Sequence, residues 1–131
     1  MEHNLILHHC AKKIVPNSLE FIMDLFKHLD CQESYWETGA RWAMIEQKGS
    51  STIIQFIETD QVPQETESKR NSHIAFLSDD PQKDLSTITK WIGEQNKKVT
   101  VGKWSDKKLY FDCSDVFIDF VIEVMHKSIV E

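Results

Sequence analysis

The stretch NSHIAFLSDDPQKDL, residues 71–85, decides the reading of this chain. His73 opens a run that alternates. Ile74 and Phe76 share one side, while His73, Ala75 and Leu77 share the other. A period of two marks a strand with one face on a core. Asp80 then stands directly before Pro81, an N-cap followed by the residue that suits the first helical position. Leu85, Ile88 and Ile92 continue at helical spacing and predict one buried stripe. Near the start stands LHHCAKKIVPNSLEF, residues 7–21, with His9, then Ala11, then a second helix start. There Asn17 and Glu20 have capping-box spacing, and Leu19, Ile22, Met23, Phe26 and Leu29 form the stripe.

The elements between follow the same order twice. Residues 5–14 read as a strand and 17–29 as a helix. Three strands follow, at 34–38, 41–47 and 51–58, rich in β-branched and aromatic residues. Residues 59–70 are polar, contain Pro63, and read as a linker. The pattern restarts with strand 71–78 and the helix from Pro81. Strands at 97–104, 108–113 and 116–124 complete it. The expected fold class is α+β: one domain, 1–131, of module 1 (5–58), linker (59–70) and module 2 (71–125), each module reading βαβββ.

The repeat has a measurable offset. His9 matches His73 through the following Ala11 and Ala75, and 73 − 9 = 64. The run IIQFI (53–57) matches FIDFV (117–121), so Gln55 matches Asp119, and 119 − 55 = 64. The helix stripes match at 85 − 19 = 66, which a longer loop into the second helix explains. Gln55 lies between Ile54 and Phe56, and Asp119 between Ile118 and Phe120. Alternation sends those apolar flanks to the helix side and the polar residues to the opposite face. An approximate two-fold axis between the modules then lets His9, Gln55, His73 and Asp119 converge in a cleft. Two imidazoles, an amide oxygen and a carboxylate suit a divalent transition metal: zinc, nickel, manganese or iron(II). His8 is the rival of His9, because one residue of slip reverses the face. Trp36, Trp42, Trp104 and Tyr110 are expected to border the cleft, and Arg41 and Lys13 to meet an anionic substrate.

The pattern resembles the vicinal oxygen chelate superfamily, which includes glyoxalases, bleomycin-resistance proteins, extradiol dioxygenases and fosfomycin-resistance proteins. The resemblance covers nearly the whole chain and is strongest in SHIAFLSDDPQKDL, VGKWSDKKLYF and DCSDVFIDF. These look like the family's HVAF opening, Gly-aromatic turn and DPDGNLIEL closing strand. His9 and His73 fall on its first-strand ligand positions, and Gln55 and Asp119 on its last-strand positions. The usual closing-strand ligand is glutamate, and the DPDG turn is replaced by CSDV here. The resemblance implies a metal-dependent lyase, isomerase or dioxygenase acting on a small oxygen-chelating substrate, with Asp119 as proton acceptor. Its other branches imply a metal-independent module that sequesters a small ligand, or a protein with a vestigial site. It also implies a homodimer.

Charge and composition narrow the partners. The formal net charge is −6, from 15 basic and 21 acidic residues, which disfavours nucleic acid because phosphate binding needs a clustered positive field. No run of the sequence is long and apolar enough to suggest a membrane span. Cys10, Cys31 and Cys113 are odd in number and widely spaced, and no signal peptide is evident. They predict free thiols in a reducing, cytoplasmic setting, with Cys10 and Cys113 as small core residues.

Overall fold

The structure, a computed structural model, describes residues 4–130. Its elements are β1 (Cys10–Ile14), α1 (Leu19–Lys27), β2 (Gln32–Tyr35), β3 (Trp42–Glu46), β4 (Ile53–Glu58) and α2 (Thr66–Lys69). They continue as β5 (His73–Ser78), α3 (Pro81–Glu94), β6 (Thr100–Ser105), β7 (Lys108–Asp112) and β8 (Val121–His126). The strands build two four-stranded sheets, ordered β1-β4-β3-β2 and β5-β8-β7-β6. In each sheet the first and last strands of a module pair in parallel, and the other pairs are antiparallel. This is the α+β pair of βαβββ modules that the sequence predicts, with open sheets.

Both helices cover one side of the sheets and share a core. Phe26 of α1 lies 4.7 Å from Phe56 and 6.2 Å from Phe76, ring centre to ring centre, so it touches both modules. Phe56 in turn meets Phe120 at 5.8 Å. Phe21 stacks on Trp91 of α3 at 5.7 Å, with 9° between the rings. As expected from alternation, Phe56 is fully buried on the helix side and Ile74 nearly so. Such interlocked aromatic burial is the main term favouring the fold.

Several elements depart from the expected bounds: β2 runs over Gln32–Tyr35 rather than 34–38, β6 starts at Thr100 rather than 97, and three further differences have clear causes. Residues 5–9 do not extend β1, because among the described residues nothing pairs with them; Leu5, Ile6 and Leu7 are 89, 88 and 94% exposed. The last strand starts at Val121 rather than 116. The N–H groups of Val116 and Phe117 both donate to the Cys113 carbonyl, at 2.8 and 2.9 Å, and curl residues 113–117 into a turn. That turn puts Phe117 against Phe120 at 4.3 Å. It also sews the modules together, since Val15 N–H donates to Val116 O and Ile118 N–H to Lys13 O, both at 3.0 Å. The linker, lastly, holds the short helix α2.

A buried ion pair fixes that helix. Lys69 and Asp112 have wholly buried side chains, with Nζ 3.0 Å from Oδ1. The same ammonium donates to the Phe117 carbonyl at 2.5 Å, and Thr66 Oγ1 donates to Asp112 Oδ2 at 2.6 Å. Beyond its ion contact, Asp112 Oδ1 has no hydrogen-bond partner. Burial pushes the Asp112 carboxyl above its ordinary pKa, against the pull of Thr66 and Lys69. Two buried charges cost desolvation that only their pairing offsets, so removing one leaves the other stranded.

The start of α1 is capped differently from expectation. Asn17 has φ 64° and Ser18 is the N-cap, without a side-chain cap bond. Glu58, at the end of β4, supplies the acceptor instead. Its Oε2 takes the N–H groups of Ser18 and Leu19 at 3.1 and 3.0 Å. A carboxylate there satisfies orphan donors and opposes the positive helix end. Arg41 holds Glu58 through Nε and Nη2, at 3.0 and 2.6 Å, and Glu20 through Nη1 and Nη2, at 2.9 and 2.8 Å. This corrects the expectation that Arg41 meets substrate: two carboxylates already engage its guanidinium.

Two predictions follow from these contacts. Lys69→Ala loses about 3–5 kcal/mol of stability in urea unfolding, while Lys69→Met with Asp112→Leu recovers most of it. The Arg41 hydrogen bond holds the Glu20 carboxyl at about 2, below its ordinary 4.5. Glu58 is also lowered: burial raises it, but Arg41 and the helix N–H groups outweigh that. Folded-state values below unfolded ones add stability above the unfolded value and lose it as pH falls. Stability therefore declines from about pH 4.5 towards 2, and Arg41→Met flattens that decline in pH-dependent unfolding curves.

Candidate functional site

The parallel pairing of β5 with β8 sets His73 beside Val121 and Ala75 beside Glu123. All four thus share the face opposite α3. On that face His73 Nε2 lies 3.3 Å from Glu123 Oε1. His73 Nδ1 lies 2.9 Å from the Arg70 carbonyl, which only accepts, so Nδ1 carries the proton. The other nitrogen, Nε2, is left as a lone pair in the neutral ring and as a donor to Glu123 in the charged one. The imidazole is half-open to solvent, whereas Glu123 is only 5% exposed.

Aromatic rings wall this pair. Trp104 stands 5.2 Å from the His73 ring and 4.9 Å from Tyr110. The Arg70 guanidinium lies 5.3 Å from the centres of both Trp104 and Tyr110. Its Nη1 reaches the exposed Glu67 at 3.1 Å, and its Nε is buried without a partner. Tyr110 pairs in register with Glu123 on one side and Gly102 on the other. A Cβ on Gly102 would stand 2.3 Å from the Tyr110 hydroxyl oxygen, so the absence of a side chain there is what lets the phenol lie across β6.

The four residues selected from sequence separate into four places. His73 is in the cluster just described. Gln55 sits on β4, in register with Ala11 and Met44, and is half-buried. His9 precedes β1, is exposed, and has its Nδ1 2.9 Å from Nδ1 of His8. Asp119 lies ahead of β8, where its Oδ1 accepts the Lys13 N–H at 3.0 Å. The residue that β8 places in register with Ala75, as β4 places Gln55 with Ala11, is Glu123. Glu123 was legible as a lone charge in the apolar run FVIEVM, and Arg70 gave no signal from the linker. Among the described residues no group of three or more His, Cys, Asp or Glu side chains gathers as a metal site. His73 with Glu123 supplies two of the donors a divalent ion needs, in neighbouring positions and with the histidine tautomer set.

Beside the cluster, a groove of about 510 Å³ opens between the edges of β1 and β5, lined by Cys10, Lys12, Ile54, His73, Phe76 and Leu77 among others. Lys12 Nζ crosses its floor to Ser72 Oγ at 3.0 Å. Cys10 is exposed there, which corrects its expected place in the core, while Cys113 is buried. Burial pushes the Cys31 thiol up to about 11 and the Cys113 thiol higher still. Trp42 stacks on Tyr35 at 5.6 Å, away from this cluster, and the Trp36 indole N–H donates to Ala40 O. Among the described residues no helix is long and apolar enough to cross a membrane.

No sequence family and no curated protein matches the chain. Solved structures do. A proposed glyoxalase from Bacillus halodurans superposes with a TM-score of 0.59 at 13% identity, covering 94% of this chain and 96% of that one. TnmS3, an antibiotic binding protein from Streptomyces sp. CB03234, gives 0.58 at 14%, covering 95% and 98%. The fosfomycin resistance protein FosX from Listeria monocytogenes, in a mutant complexed with Mn(II) and 1S,2S-dihydroxypropylphosphonic acid, gives 0.57 at 17%, covering 92% and 90%. The fold is the one these glyoxalase-like and fosfomycin resistance proteins share.

The close approach at Gly102 is directly testable. Gly102→Ala forces Tyr110 off its place and costs about 1–3 kcal/mol. The shift is read as a lower urea midpoint and a changed emission from Trp104, which packs on that ring.

Proposed function

We propose that this chain acts on, or holds, a small oxygen-bearing ligand at the His73–Glu123 pair, with a divalent cation as the cofactor. The observation that carries this reading is the state of His73. Its Nδ1–H is committed to a backbone carbonyl, and its Nε2 faces a nearly buried carboxylate. That arrangement prepares a nitrogen and an oxygen for one cation. Zinc, nickel, manganese and iron(II) all accept such donors, and the Mn(II) complex of the Listeria protein shows manganese held by one protein of this fold. His9 and Gln55, the corresponding positions of the first module, would complete the set in a homodimer. Glu123 takes the role first given to Asp119, whose carboxylate is bound to the edge of β1.

When bound, such an ion would supply Lewis acidity to two neighbouring oxygens of a substrate. The chain's own contribution is distinct. Glu123 can accept a proton from a ligand carbon or hydroxyl beside His73. Trp104 and Tyr110 offer a flat apolar wall, and Arg70 behind them adds positive charge that favours an anionic or enolised ligand. The same wall supports a second reading, a binding module without metal that holds a planar ligand by stacking; TnmS3, of the same fold, is named an antibiotic binding protein.

Elemental analysis of protein purified without chelator and without a metal-affinity tag separates them. The first reading expects about one divalent ion per chain. His73→Ala and Glu123→Gln each abolish uptake, and Asp119→Asn retains it. Wild-type protein that binds none of zinc, nickel, manganese or iron(II) in calorimetric titration overturns the metal reading. Affinity for a planar aromatic acid that survives His73→Ala and falls with Trp104→Ala then supports the second.

A further inference from the structure

Arg70 meets the site twice. Its backbone carbonyl faces the His73 Nδ1–H. Its guanidinium lies 5.3 Å from the centres of both Trp104 and Tyr110, against the same indole that packs on His73. That guanidinium is poorly satisfied. Nη1 reaches Glu67 at 3.1 Å, a carboxylate three residues back whose side chain is 78% exposed. Such a pair holds weakly. Nε is buried and has no partner, and among the described residues Nη2 makes no hydrogen bond either. A buried donor without an acceptor is costly, and native structures keep few of them.

Arg41 shows how this chain treats a guanidinium whose task is structural. Its Nε and Nη2 grip the two oxygens of Glu58 side by side, at 3.0 and 2.6 Å, while Nη1 and Nη2 take Glu20. Arg70 has a counterpart of the Glu20 contact, in Glu67, and none of the Glu58 contact. The edge left over is the one formed by Nε and Nη2. It carries two parallel N–H donors at the spacing of a planar carboxylate.

We infer that Arg70 is a specificity-determining residue of this site: its Nε–Nη2 edge receives the carboxylate of an aromatic acid, with the ring of that acid against Trp104. The inference rests on the ligand site lying at His73 and Glu123, and it narrows an anion in general to one shape of anion. Trp104 and Tyr110, 4.9 Å apart with 51° between their rings, make an angled apolar corner beside the guanidinium. A flat ring attached to the carboxylate fits there. Trp104 is half-buried and the Arg70 side chain keeps 25% of its surface, so a ligand reaches both from solvent. Nε comes into reach when the guanidinium turns away from Glu67. Charge selects a carboxylate over a phosphate. One guanidinium matches one negative charge on two coplanar oxygens, whereas a phosphate dianion brings a second charge towards the nearly buried Glu123.

Titration calorimetry on the full chain, at neutral pH with EDTA present, tests this with 2-naphthoate and its neutral counterpart 2-naphthamide. The wild type is expected to bind the acid about tenfold tighter than the amide. Glu67→Gln, at an exposed position, is expected to tighten the acid severalfold and leave the amide unchanged, because a competing carboxylate is gone. Arg70→Lys keeps a charge without the two-donor edge; it is expected to lose most of the preference, with unchanged circular dichroism. Wild-type protein that prefers neither ligand, or binds neither at millimolar concentration, overturns the inference. So does a preference that Arg70→Lys keeps in full, or 2-naphthyl phosphate binding tighter than the acid. These readouts use no metal. A chain that takes up no divalent ion and still prefers the acid loses the cation and keeps this role of Arg70; a chain that takes up the ion and shows no preference does the reverse.

Discussion

One buried ammonium organises the second half of the molecule. Lys69 is the point where three segments meet: the helix α2 that carries it, the end of β7 through Asp112, and the turn after β7 through the Phe117 carbonyl. None of these would be held by packing alone. The turn must present a carbonyl inward, and an inward carbonyl needs a donor. The donor brings a charge, and the charge needs Asp112. Because α2 ends at Lys69, the next carbonyl, that of Arg70, is fixed where His73 Nδ1 finds it. The orientation of His73 is therefore a distant result of the Lys69–Asp112 ion pair.

The first half solves the corresponding problem at the surface. Glu58 closes β4 onto the start of α1, and Arg41 holds Glu58 and Glu20 together. The Arg41–Glu20 pair is exposed and screened by water and salt, whereas the Glu58 carboxylate is nearly buried beneath the same guanidinium. The two modules share a topology but not an internal adhesive. Their common ground is the aromatic layer in which Phe26, Phe56, Phe76 and Phe120 meet.

Much of this was written in the sequence. The alternation at His73–Ser78, the Asp80–Pro81 helix start and the repeat of element order each follow from local rules, and the strands and helices formed where those rules apply. What escaped the sequence was set by distance along the chain. Glu58 caps a helix that starts 39 residues earlier, so the local pair Asn17 and Glu20 looked like the cap. Asp119 looked like the partner of His73 because a constant offset was assumed. The register gives 75 − 11 = 64 at the first strands, 110 − 44 = 66 at the third, and 123 − 55 = 68 at the last. Arg70 was hidden for a related reason, since nothing in a polar linker announces that its basic residue will lie on Trp104 and Tyr110.

Those widening offsets say something about how such a chain drifts. Extra residues accumulated in the connections, first before α3 and then before β8, while each ladder kept its hydrogen-bonded partners. A ladder resists insertion because one added residue turns every following side chain to the wrong face. A connection tolerates it at small entropic cost. Pairing geometry thus outlasts the letters of the sequence, and solved structures at 13 to 17% identity superpose over nine-tenths of the chain.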